Sequence, residues 1–134
     1  MTVQIIVPND AEQAVIDELE ARGYADAATI IPETKPQLFF RVLSVGGTQR
    51  DLVTDTPTMT IETFATLEST ASQTANLVVG LLQAAARSGR MGGVPCYGLQ
   101  VVSLPQNYPL PSVPTHKRYI TTIAPALRRA VVNL

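Results

Sequence analysis

The sequence predicts a single α+β domain, with two helices packed on a mostly antiparallel β-sheet in the order α-β-β-β-α-β-β. Three observations lead there. Residues 11–22 and 67–87 carry apolar side chains at helical spacing, and each run ends at glycine. Five other segments are short, rich in β-branched or aromatic residues, and bounded by turn residues. No repeat or linker divides the 134 residues.

The first helix has a clear start. Asp10 stands at the N-cap with Gln13 three positions on, a capping-box arrangement, and Val7 and Ala14 are spaced as its hydrophobic staple. Val15, Ile16 and Leu19 share one face, and Gly23 after Arg22 stops the helix. Residues 27–31 form a short strand ending at Pro32, and residues 33–36 form a turn.

Residues 38–45 are the strongest strand. Leu38, Phe40 and Val42 point one way; Phe39, Arg41, Leu43 and Val45 point the other. Two apolar faces predict a central strand or a subunit contact, and a buried Arg41 requires a carboxylate partner. Gly46-Gly47 ends this strand, and Pro57 opens the next. Residues 58–63 alternate, with Met59 and Ile61 inward and Thr58, Thr60 and Glu62 outward. The two strands form a hairpin with a long, protruding connection.

The second helix, residues 67–87, is about 30 Å long at 1.5 Å per residue. Its apolar stripe runs through Leu67, Ala71, Thr74, Val78, Leu81 and Ala85, widened by Leu77 and Leu82. Gly80 costs about 1 kcal/mol there relative to alanine, which points to a close contact. No charge falls between Glu68 and Arg87, so more than one face of this helix is expected to be covered. Residues 97–104 and 118–124 are the last two strands. Pro105, Pro109, Pro111 and Pro114 exclude regular structure between them, and 126–132 fits either a short helix or a strand.

Composition narrows the function. A net charge of −1 disfavours a free-standing nucleic-acid binder; the only basic pairs are Lys117-Arg118 and Arg128-Arg129. With 46% hydrophobic residues, the chain can bury a core without covalent staples. The lone Cys96 excludes a disulfide within the chain, and its neighbours suggest a packed thiol. Residues 1–8 lack the basic region of a signal peptide, and the uncharged stretch 69–86 is too polar to span a membrane. A cytosolic product with no membrane association is expected.

Catalytic chemistry has no foothold. His116, the single histidine, lies in the proline-rich loop, where a solvated or interface role is expected. One His and one Cys do not make a zinc site, and the glycine pairs match no phosphate-binding spacing. Asp51, Asp55 and Glu62 are carboxylates near the hairpin. Asp55 before Thr56-Pro57 is better accounted for as an Asx-type turn residue than as half of an acid–base pair. Neither an enzyme nor a cofactor is indicated.

Several pieces, in order, resemble the tail terminator proteins of long-tailed bacteriophages, of the type found in phages of actinobacteria. They are the Arg41–Gly47 strand end, the Val53–Pro57 entry, the Ile61-Glu62-Thr63-Phe64-Ala65 lead into a long helix, the Leu104–Pro111 loop and Arg118-Tyr119. The final segment, 125–134, is longer and less strand-like than that pattern.

The resemblance implies a structural virion protein at the head–tail junction, assembled in the host cytoplasm. It implies a homohexameric ring that caps the tail tube, stops its growth and joins it to the head connector. Its partners would be the major tail protein and the connector or stopper protein. Genomic DNA would pass through the lumen without specific binding. Arg41, Arg50, Asp51, Asp55 and Arg118 are the candidate ring and tube contacts, with the loop 46–55 facing the lumen or tube. Another neck protein, such as a head-completion or connector subunit, is the alternative; a small ligand-binding or enzymatic domain is the third.

Overall fold

The structure is a computed structural model and describes residues 2–134. The chain runs β1 (Gln4–Val7), α1 (Ala11–Ala21), β2 (Ala27–Ala28), β3 (Leu38–Gln49), β4 (Thr54–Ala65), α2 (Glu68–Ser88), β5 (Arg90–Met91), β6 (Val94–Asn107), β7 (Lys117–Arg128) and β8 (Ala130–Asn133). The α+β class stands, with two helices on a mostly antiparallel sheet. Strands β1, β5 and β8 are additions to the expected order.

Six strands form the main sheet in the order β2-β3-β4-β7-β6-β5, and β1 pairs with β8 in a separate two-stranded ribbon. Only β2–β3 is parallel. The β3–β4 register sets Phe40 opposite Thr63 and Val42 opposite Ile61, so these four share the helix-facing side. Arg41–Glu62 and Phe39–Phe64 pair on the opposite side. The register slips between Ser44 and Gly47, a bulge that leaves Val45 exposed.

The main core lies between the sheet and both helices. Val15 and Leu19 of α1, and Val78, Leu82 and Ala85 of α2, meet Phe40, Val42, Met59, Ile61 and Ile123. A side chain the size of Leu19, fully buried, contributes about 1.5–3 kcal/mol. Helix α1 starts at the expected cap, the Asp10 carboxylate accepting from the Gln13 amide at 3.0 Å, but the Gln13 side chain donates to Asp17 at 2.7 Å instead of closing the capping box. Gly92, at φ +56°, sits where a Cβ would run into the backbone of Ala14, and its amide donates to Glu18 at 3.0 Å. The β5–β6 turn is thereby locked onto α1.

Helix α2 ends at Gly89 in the left-handed conformation. Its buried residues are Ala71, Thr74, Ala75, Val78, Leu82, Ala85 and Ala86. Leu67 and Leu77, both assigned to the apolar stripe, are exposed. Gly80 has open space around it, so no close contact accounts for it. Cys96 is buried, and desolvation raises its thiol pKa above the ordinary value.

A smaller core closes one end of the opposite face. Phe39 and Phe64 stack with centroids 4.6 Å apart, and Val113, Leu110 and Ile31 cover them. His116 belongs to this cluster and is not solvated. It packs edge-on against Phe39, and its Nε2 lies 2.7 Å from the Pro36 carbonyl oxygen. The proline-rich segment is thus a packed cover. Strand structure also extends further than expected: β6 continues through Pro105 to Asn107, and β7 through Pro125 to Arg128. Pro105 is tolerated because β6 lies near the sheet edge and is interrupted by three register slips. Pro125, in central β7, falls in the stretch between Ile123 and Leu127 that makes no pair with β4.

Candidate functional site

The five candidate contact residues fall into two groups. Arg41 and Arg118 lie mid-sheet on the face without helices. Arg50, Asp51 and Asp55 lie at the far end of the β3–β4 hairpin.

Glu62 organises the first group. Its alternation suggests an outward residue, but it is buried, and its carboxylate accepts from both arginines. Arg41 Nη2 lies 2.7 Å from Oε1, and Arg118 Nη1 lies 3.2 Å from Oε2. Arg118 also donates through Nε to the Tyr108 carbonyl at 2.8 Å, and the Tyr108 ring lies 5.2 Å from its guanidinium carbon. The partner that Arg41 required is therefore Glu62. Alternation along β4 could not reveal this, because the second arginine comes from β7. One carboxylate between two guanidiniums leaves one net positive charge, but with the Arg118 side chain only 7% exposed, the cluster is chiefly a structural clasp.

The hairpin end is built differently, and not as a long connection. Strand β3 passes through Gly46-Gly47 to Gln49, and β4 begins at Thr54, before Pro57. Only residues 50–53 turn, because the bulge at Ser44–Gly47 lets pairing resume. Asp51 Oδ1 accepts from the amides of Val53 and Thr54, each at 2.9 Å, so Asp51, not Asp55, is the turn-making residue. The Val53 amide bond, foremost, lowers the Asp51 carboxyl pKa below its ordinary value, with the Thr54 amide and Arg50 helping against desolvation. Asp55 instead pairs with Arg129, with Nη2 to Oδ1 at 2.8 Å and Nε to both oxygens at 2.9 and 3.0 Å. The Arg129 amide also donates to the Val53 carbonyl at 2.7 Å, tying the prong to the end of β7. Arg50 lies 6.0 Å from the centre of the Tyr97 ring, so the tip leans across to β6. At the tip itself, Leu52 is 80% exposed, with Val53 beside it also exposed. The charges here are conspicuous in the sequence; the apolar pair is not, because two residues show no periodicity.

Beside the prong, a cleft of about 400 Å³ opens between the start of α1 and the β3 bulge. Asn9, Glu12, Thr48, Gln49 and the Asp55–Arg129 pair line it. Its charged groups are already engaged: Glu12 accepts from the Ser44 amide at 2.9 Å, and Arg129 is held by Asp55. Among the described residues, no three His, Cys, Asp or Glu side chains come together to hold a metal ion. No described helix is long and apolar enough to cross a membrane.

No protein-family model matches this sequence, and no curated protein matches it either.

Proposed function

We propose that this chain is a tail terminator of a long-tailed bacteriophage, a structural subunit that forms a ring on the head-proximal end of the tail tube. In this reading it stops tube growth and presents the surface to which the head connector docks. The observation that carries it is the prong. A hairpin held by Asp51, by the Asp55–Arg129 ion pair and by the Val53–Arg129 backbone bond displays Leu52 and Val53 to solvent. An apolar tip on a fixed stem suits insertion into a pocket on another protein, because little conformational freedom is lost on docking. The near-neutral charge supports DNA passing by without tight binding. The role is mechanical, not catalytic.

The test is tail length, measured by electron microscopy in lysates with the gene disrupted. Overlong, headless tails are expected. Tails of normal length beside unjoined heads would move the assignment to a connector or head-completion subunit, and normal virions would overturn the structural reading. Leu52→Asp should lower occupancy on purified tails while leaving the circular dichroism melt unchanged. Unchanged occupancy would remove the prong from the tube contact.

A further inference from the structure

We propose that copies of this chain join head to tail by strand addition, the β1–β8 ribbon of one copy pairing with the free outer edge of β6 on the next. This inference rests on the ring reading above and names the contact that would build the ring.

The receiving surface is the edge of β6. Strand β5 covers it only at Pro95 and Val94, and the Cys96 amide is taken by the Gly89 carbonyl at 2.9 Å. Beyond that point the strand runs on to Asn107, and among the described residues no strand pairs with its outer side. Exposed strand edges in monomeric proteins are guarded by charged side chains, proline or bulges. This one has Pro105, register slips, and Arg50 over Tyr97, but no charge of its own: no Asp, Glu, Lys or Arg occurs between Arg90 and Lys117. Tyr97, Val102 and Leu104 stand exposed along it, Leu104 by 70%.

The donor is the ribbon. Gln4–Val7 pairs with Ala130–Asn133, and reciprocal bonds between Val3 and Leu134, 3.1 and 2.7 Å, extend the pairing by a residue. None of the residues of β1 or β8 is buried. Val3, Ile6, Val131 and Leu134 are exposed, and no side chain of either strand is charged. A lone two-stranded ribbon is marginal in water; a third strand makes it stable.

The two surfaces match in kind: each is uncharged, apolar and short of a hydrogen-bonded neighbour. Pairing of β6 with its own copy fits less well. Three register slips break β6 into short regular runs, such as Leu99–Val101, and two long irregular strands would not keep register with each other. A short donor strand of four residues spans at most one slip. Because donor and acceptor are different patches, the contact is heterologous and can close into a ring.

The experiment uses three full-length proteins: wild type, a ribbon variant (Ile6→Lys with Val131→Lys) and an edge variant (Val102→Lys with Leu104→Lys). All four substituted positions are exposed. Native mass spectrometry is expected to show oligomers for wild type and monomers for each variant alone. An equimolar mixture should give dimers of one copy each and nothing larger, since only one intact ribbon then meets one intact edge. Variants that oligomerise like wild type, a mixture that stays monomeric, or a wild type that is monomeric at the highest concentration reached would each overturn the proposal. Deuterium exchange on unmodified protein gives a second reading: protection of 97–107 and of one ribbon strand, 4–7 or 130–133, should rise together with concentration, and failure of either the edge or the ribbon to gain protection overturns it. Tail length after gene disruption reports separately. Overlong tails with variants that still form rings would refute strand addition and leave the terminator reading standing; normal tails with monomeric variants would do the reverse.

Discussion

Glu62 of β4 and Arg118 of β7 form an ion pair at 3.2 Å with only 5% and 7% of their side chains exposed. Arg41 approaches the same carboxylate from β3, so one acid ties three neighbouring strands. Removing the acid strands a buried guanidinium. Glu62→Ala should therefore lower stability by about 3–5 kcal/mol, measured by urea denaturation. Arg41→Ala should cost less, because a quarter of its side chain is exposed and Glu62 keeps Arg118. Equal losses would show that the three act only as a unit.

The hydroxyls of Thr63 and Thr121 are buried under α2 without a hydrogen-bond partner. Each leaves an uncompensated desolvation penalty in the core. Thr121→Val keeps the shape and removes the hydroxyl, and should raise stability by about 1 kcal/mol. A urea midpoint lower than wild type would show that the hydroxyl is satisfied in solution.

The prong carries a pH signature. The Asp51 carboxyl is depressed chiefly by the Val53 amide, so its contribution is complete above the ordinary carboxylate range and is lost as pH falls through the lower, folded-state value. The Val53 amide resonance should titrate with a midpoint below that of a free aspartate, and Asp51→Ala should abolish the titration. A midpoint at or above the free value would contradict the turn geometry. Charge reversal at Asp51 is consequently a poor probe of tube contact, since it also releases the tip; Leu52→Asp is cleaner.

Gly92 is a site of intolerance. Its φ of +56° disfavours a side chain, and an added methyl would meet the Ala14 backbone. Gly92→Ala should cost about 1–3 kcal/mol in conformational strain. Loss of the Glu18 bond to the Gly92 amide should appear as faster exchange at that amide. An unchanged urea midpoint would mean that α1 shifts without penalty.

What could be read from the chain alone follows from the range of each interaction. The Asp10 cap, the Gly89 stop and the alternation of 38–44 are local and were legible. Strand β1 is not legible, and β8 is only one of the two readings of 126–132, because a four-residue apolar run carries no period and their pairing spans nearly the whole chain. Proline at 105 and 125 hid the ends of β6 and β7, since nothing local tells an irregular strand from a loop. Glu62 is buried where alternation puts it outward, and His116 is not solvated, for a shared reason. Both are polar residues buried by partners distant in sequence, Arg118 and Pro36, and polarity patterns assign such residues to solvent.

The ribbon also sets an order in time. Its strands are separated by nearly the whole chain, and contacts of long sequence separation cost the most chain entropy to close. Hairpin β3–β4 can form early from nearby residues, whereas Gln4 meets Asn133 only after the sheet between them has brought the two segments together. The same economy of contacts makes the ribbon the first part to open again. A folding chain therefore completes its core before it acquires the ribbon, whose exposed apolar side chains come together only on a finished domain.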